Sequence, residues 1–171
     1  MRNDNGPLDD LLHDCCRELF AAYALEPYPQ SREQFPKTAE LAFCGVIGFA
    51  GKKMRGALVL ATTAEALELR RTQSLSEQRD WVCELANQLM GRVKNRLLLR
   101  GVEVLLATPA SVSGNNLCPT PAHLRAPQIF AAGRGYVCAW IDCEMDKGFE
   151  LPTSGLPNME LPIAEGDVLL F

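Results

Sequence analysis

Residues 74–101 read SLSEQRDWVCELANQLMGRVKNRLLLRG, and this stretch decides the fold. No proline interrupts it, Ser74 with Glu77 three positions on makes a capping box, and Gly101 stands where a helix stop is expected. The pattern predicts a helix from about Leu75 to Leu99. On a wheel of about 100° per residue, Trp81, Val82, Leu85, Ala86, Leu89, Met90, Val93 and Leu97 fall on one half. At roughly 1.5–3 kcal/mol for each large side chain buried, that half anchors the helix on a core. Glu84, Asn87, Gly91 and Lys94 fall on the opposite half. Glu84 and Asn87, three apart, are neighbours on one ridge, and Gly91 follows one turn beyond.

Glycine costs about 1 kcal/mol against alanine inside a helix. The core does not call for Gly91, because it points away from the apolar half. Two readings stand side by side: an ordinary solvated face with an incidental glycine, or a surface that another backbone must approach closely.

Outward from this helix, Leu8 to Leu25 predicts an amphipathic helix, with Leu8, Leu11, Leu12, Cys15, Leu19 and Tyr23 at spacings of three and four. It should end by Glu26-Pro27, since the residue before a proline avoids helical geometry. Pro27, Pro29 and Pro36 then mark an extended connection. Leu41 to Phe49 and Ala57 to Ala61 read as a hairpin turning through 51–56. A short helix is expected at 62–67. After the long helix, Val102 to Ala107 reads as a strand, Ser113 to Pro127 as a loop, and Gln128 to Ala132 and Tyr136 to Met145 as strands around a Gly133-Arg134-Gly135 turn. From Asp146 the chain is rich in Pro and Gly and closes on the apolar run Val168-Leu169-Leu170-Phe171. The expected fold is α+β: one domain over 1–171, a mostly antiparallel sheet with two long helices packed on it.

Composition narrows the function classes. With 171 residues and 47% hydrophobic content, one real core is expected without metal or disulfide staples. The net charge is −4, and the basic clusters Lys52-Lys53-Met54-Arg55 and Arg70-Arg71 are short enough to be solvated turns, so no nucleic-acid partner is expected. The polar start Met1 to Asn5 is unlike a signal peptide, and no apolar run is long enough for a membrane span, so a soluble cytoplasmic protein is expected. Seven cysteines, an odd number without C-x-x-C, several of them in apolar runs, read as reduced core residues. His13 and His123 stand alone, so no metal site is expected. P-loop, dinucleotide and nucleophile-elbow motifs are absent.

The run Glu84-Leu85-Ala86-Asn87-Gln88-Leu89-Met90-Gly91-Arg92-Val93-Lys94 resembles the signature helix of the CheC/CheX chemotaxis phosphatases, E-x-x-N then x-x-x-G, often with a lysine. The hairpin segments Ile47 to Gly51 and Gly56 to Leu60 resemble that family's hairpin, and Pro109 and Gly114 its downstream segment. The resemblance covers about 40–145 and leaves 146–171 as an extension of unassigned role. The first helix offers Glu18-Leu19-Phe20-Ala21, without a second E-x-x-N, which is similar to the CheX branch.

The resemblance implies an enzyme that hydrolyses the aspartyl phosphate of a phosphorylated CheY-like response regulator. It implies Asn87 and Glu84 as catalytic residues, and Glu84, Gly91 and Lys94 as partner-binding residues. It implies no cofactor of the chain's own, with Mg2+ supplied by the regulator, and a homodimer. A dimer is also suggested by strands such as Tyr136-Val137-Cys138-Ala139-Trp140-Ile141, apolar on both faces, because an apolar edge strand invites pairing. The alternative is a non-catalytic module of the same fold: an adaptor that binds a response regulator, or a flagellar-switch-like domain.

Overall fold

Helix α1 (Pro7–Ala21) starts with proline in its first turn and Asp9 and Asp10 beside the positive end of its dipole. The computed structural model describes residues 6–23, 25–27, 40–67, 74–120, 122 and 127–153. The proline-rich connection past Pro27, the Arg70-Arg71 pair, His123 and the terminal run 168–171 lie outside them. The expected apolar side of α1 is buried, but the helix stops at Ala21 rather than at Leu25. The N–H groups of Ala22, Tyr23 and Leu25 turn back onto the carbonyls of Leu19 and Phe20 and close the helix before Pro27 can act on it. Glu26–Pro27 instead form a short strand, β1, paired with Ala131 and Phe130. It lies at the end of the sheet, where a proline is tolerated.

Strands β2 (Leu41–Gly51) and β3 (Met54–Thr63) form the expected hairpin, but its turn is only Lys52-Lys53. Gly51 and Gly56, expected in the turn, lie inside the strands. A Cβ on Gly56 would sit 2.1 Å from the carbonyl oxygen of Asp142, and one on Gly51 would sit 2.2 Å from that of Glu103. These glycines admit neighbouring backbones rather than a turn.

Helix α2 (Ala64–Leu67) and the long helix α3 (Leu75–Leu99) follow, then β4 (Val104–Leu106), β5 (Ala110–Leu117), β6 (Gln128–Ala132) and β7 (Gly135–Met145). The sheet runs β1-β6-β7-β3-β2, with β4 and β5 both pairing with β2, and every pairing is antiparallel. Most of β5 falls in the stretch expected to be a loop. Its side chains are exposed or half-buried, so the chain there is polar, and its strand character comes from pairing with β2.

One face of the sheet carries Phe43, Ile47, Phe49, Leu58, Leu60, Val137, Ala139 and Ile141, which join the buried sides of α1 and α3 in one core. Phe20 of α1 meets Phe130 of β6 edge-on, with ring centroids 4.7 Å apart. The opposite face holds a smaller buried cluster of Cys44, Ala61, Cys138 and Trp140, bordered by Val46, Val59, Leu117 and Ile129. That corrects the edge-strand argument: β7 lies between β6 and β3, and it is apolar on both sides because each side enters a buried cluster of the same chain. After β7, Asp146 N–H donates to the carbonyl of Lys53, and Leu151 is buried in the main core, so the first residues of the C-terminal extension belong to the fold.

Candidate functional site

Helix α3 carries the candidate site, and both of its ends are fixed by local chemistry. The Ser74 hydroxyl accepts from the Glu77 N–H at 3.3 Å, and the Ser74 N–H donates to Glu77 Oε2 at 2.6 Å, which completes the capping box. At the other end Gly101 adopts φ 75°, in the left-handed region. Val102 N–H donates to Leu97 and Gly101 N–H to Leu98, a Schellman closure.

Val82, Leu85, Ala86, Leu89, Met90, Val93 and Leu97 are buried against the sheet and α1. Beneath Val82 and Ala86 lies Gly45 of β2, where a Cβ would come within 3.1 Å of both Ala86 Cβ and the Val82 carbonyl oxygen. The C-terminal half of α3 is held to α1 by ion pairs from Arg96 to Glu18 and to Asp14. The helix is thus seated along its length, and its outward ridge has a fixed direction.

On that ridge Glu84 and Asn87 are exposed, and Gly91 and Lys94 are half-exposed. The four residues span about 15 Å at the helical rise of about 1.5 Å per residue. All four expected site residues therefore share one face of one rigid element. A Cβ on Gly91 would meet nothing within 4 Å, so packing within the chain gives no reason for a glycine there. The side chains of Asn87 and Lys94 make no hydrogen bond or ion pair to other described residues. The Asn87 carboxamide keeps a donor and an acceptor for an outside group.

Glu84 is held from inside the chain. Gln88, four residues on, donates from Nε2 to Glu84 Oε1 at 2.9 Å. The Tyr23 hydroxyl, from the turn after α1, donates to Gln88 Oε1 at 3.1 Å. Tyr23 in turn meets Trp81 edge-on, with ring centroids 6.1 Å apart and planes at 86°. Trp81 is therefore half-buried at the flank of the ridge rather than in the core. The Glu84–Gln88 spacing is visible in the sequence as an i, i+4 pair, but Tyr23 comes from the turn after α1 and reads in the sequence as one more apolar-face residue.

Among the described residues no group of three or more His, Cys, Asp or Glu is arranged to hold a metal ion. Cys15, Cys16, Cys44, Cys83, Cys118 and Cys138 are free thiols. Burial pushes the Cys15 and Cys138 thiols up to about 12 and Cys44 to about 11, so these are unreactive core groups. No helix among the described residues is long and apolar enough to cross a membrane.

No curated protein matches the chain. Solved structures do. The chemotaxis protein CheX of Vibrio vulnificus is 24% identical, with a TM-score of 0.62 over 81% of this chain and 94% of that one. A CheC-like superfamily protein of Shewanella sp. PV-4 is 26% identical, with a TM-score of 0.61 over 82% and 99%. A CheX from Borrelia burgdorferi, solved as a CheX–CheY–BeF3–Mg2+ complex, is 16% identical, with a TM-score of 0.53 over 81% and 96%. The family model described as chemotaxis phosphatase CheX matches residues 43–129, half of the chain, including most of β2, all of β3 and the whole of α3 with its ridge. The chain belongs to the CheX family of chemotaxis phosphatases.

Proposed function

We propose that this chain docks on a phosphorylated CheY-like response regulator and stimulates hydrolysis of its aspartyl phosphate. The observation that carries the proposal is the exposed Glu84/Asn87 pair on one turn of a seated helix, inside the segment matched to the family. The Borrelia relative in complex with CheY, BeF3 and Mg2+ supports a regulator as the partner.

The chemistry follows from what such a partner brings. An aspartyl phosphate on a regulator comes with its own lysine and its own Mg2+, so this chain needs no metal ligand. Hydrolysis requires a water in line with the bond between phosphorus and the aspartate oxygen. The water oxygen bonds to phosphorus, that bond breaks, and inorganic phosphate and a free carboxylate result. Such transfer is mainly positioning and electrostatics. A carboxamide is a poor base but offers a donor and an acceptor together. Asn87 therefore orients the water, a gain from alignment. Glu84, one turn away, pairs with the regulator's lysine through a charge-assisted hydrogen bond. Gly91 lets the regulator's backbone approach α3, and Lys94 extends the docking ridge.

The same proposal places the chain in the cytoplasm with its regulator and makes it a symmetric homodimer whose ridges stay open. Leu105 and Val112, exposed on β4 and β5 at the end of the sheet, replace β7 as the surface a second copy would use. Light scattering should then report twice the 18.8 kDa chain mass.

The test is phosphate release from phosphorylated CheY-like regulators with and without this protein. Stimulation by the wild type, lost in Asn87→Ala with an unchanged melting temperature, is the expected result. Tight binding with no stimulated release would instead identify a non-catalytic adaptor.

A further inference from the structure

We infer that Gln88 and Tyr23 form a positioning arm that sets the Glu84 carboxylate in its docking orientation before the partner arrives. The inference rests on the proposed docking role of Glu84 and extends the site to the turn after α1. The hydrogen-bond chemistry has one consistent direction. The Glu84 carboxylate only accepts, so the amide NH2 of Gln88 must face it, which leaves the Gln88 carbonyl oxygen for the Tyr23 hydroxyl to donate to. The distances of 2.9 Å and 3.1 Å fit that order. The far end of the arm is fixed by packing, since the Tyr23 ring sits edge-on against Trp81 of the same helix that carries Glu84.

The arm engages one carboxylate oxygen, Oε1, and the other remains for an incoming ammonium group. An exposed glutamate otherwise samples many rotamers, and freezing them on binding weakens association. Gln88 and Tyr23 remove that loss in advance. They touch neither the reacting phosphorus nor the water, so they are positioning residues, and their effect should fall on affinity and spare the bound step.

Tyr23→Phe keeps the ring against Trp81 and deletes only the hydroxyl, and Gln88→Met keeps length and helix propensity while deleting both amide contacts. Each is compared with the wild type in the full chain by two measurements. One is titration against a CheY-like regulator activated with BeF3 and Mg2+, and the other is the rate of phosphate loss at saturating phosphatase. The expected result is a dissociation constant raised about three- to tenfold in each variant, from one side chain newly immobilised on binding, with the saturated rate unchanged. On a Glu84→Ala background, adding Tyr23→Phe should change affinity by less than about twofold, because the arm acts only through the Glu84 side chain. Unchanged affinity in both single variants overturns the arm, as does a full loss that persists on the Glu84→Ala background. A wild-type chain that binds no regulator overturns the functional proposal itself and the arm with it, an outcome distinct from either of the others.

Discussion

Gly45 of β2 faces Ala86 of α3 across a gap that a single added carbon would close: a Cβ at Gly45 would lie 3.1 Å from the Ala86 Cβ and as close to the Val82 carbonyl oxygen. Ala86 is the immediate neighbour of Asn87, so this contact sets how far the ridge stands above the sheet. Gly45→Val should overpack the contact and destabilise the fold by about 1–3 kcal/mol. Chemical denaturation measures the loss, and stimulated dephosphorylation should fall in the fraction that remains folded.

Glu84→Lys should weaken binding far more than it slows the bound step. In the proposed docking the substitution puts an ammonium where the regulator's own lysine would come, and truncating or reversing one partner of a close charge pair costs about 2–5 kcal/mol. A titration together with a single-turnover rate separates the two effects. A normal affinity with a collapsed rate would make Glu84 a participant in the chemistry instead.

Gly91→Ala should raise stability by about 1 kcal/mol, because a helix interior prefers alanine and the added methyl meets nothing in the chain. Gly91→Leu should fold equally well and fail to bind the regulator. Thermal melts and binding on the same pair of variants test the close approach, and a Gly91→Leu protein with normal binding would remove it.

The buried thiols give a pH dependence whose sign is fixed. Burial raises Cys15 and Cys138 to about 12 and Cys44 to about 11, from an ordinary value of 9.0. In the unfolded chain these groups ionise near the ordinary value, so between the two values the folded state binds more protons. Their contribution is complete below about pH 9 and is lost as pH rises toward 11–12. Melting temperatures from pH 7 upward should therefore begin to decline near pH 9. At neutral pH a thiol reagent should modify the exposed Cys118 first and leave Cys15, Cys44 and Cys138 unmodified until the chain unfolds.

The long helix could be read to its ends because its signals are local: Ser74 and Glu77 cap it, Gly101 stops it, and the apolar period runs between them. The same period placed Glu84 and Asn87 on the exposed side. What escaped the sequence depends on partners distant in the chain. β5 has the composition of a loop, and only its pairing with β2 makes it a strand. Gly51 and Gly56 carry the mark of a turn, yet the backbones at Glu103 and Asp142 are what require them. Tyr23 joins the site through a hydrogen bond to a residue 65 positions away. The interior position of β7 follows from strand order, which an apolar run does not encode.

That interior position governs how the chain can be made. β7 pairs with β3 on one side and β6 on the other, yet it is the last strand of the described sheet in chain order. During synthesis the β2–β3 hairpin and α3 emerge well before β7, and β3 waits with an unpaired edge until residues up to Met145 have left the ribosome. Leu58, Leu60 and Ala61, which pair with Ile141, Ala139 and Cys138, stand on that waiting edge. A nascent chain stalled between β3 and β7 would offer a hydrophobic edge to any neighbour, so the interval before β7 emerges is the one in which this fold depends most on chaperone cover.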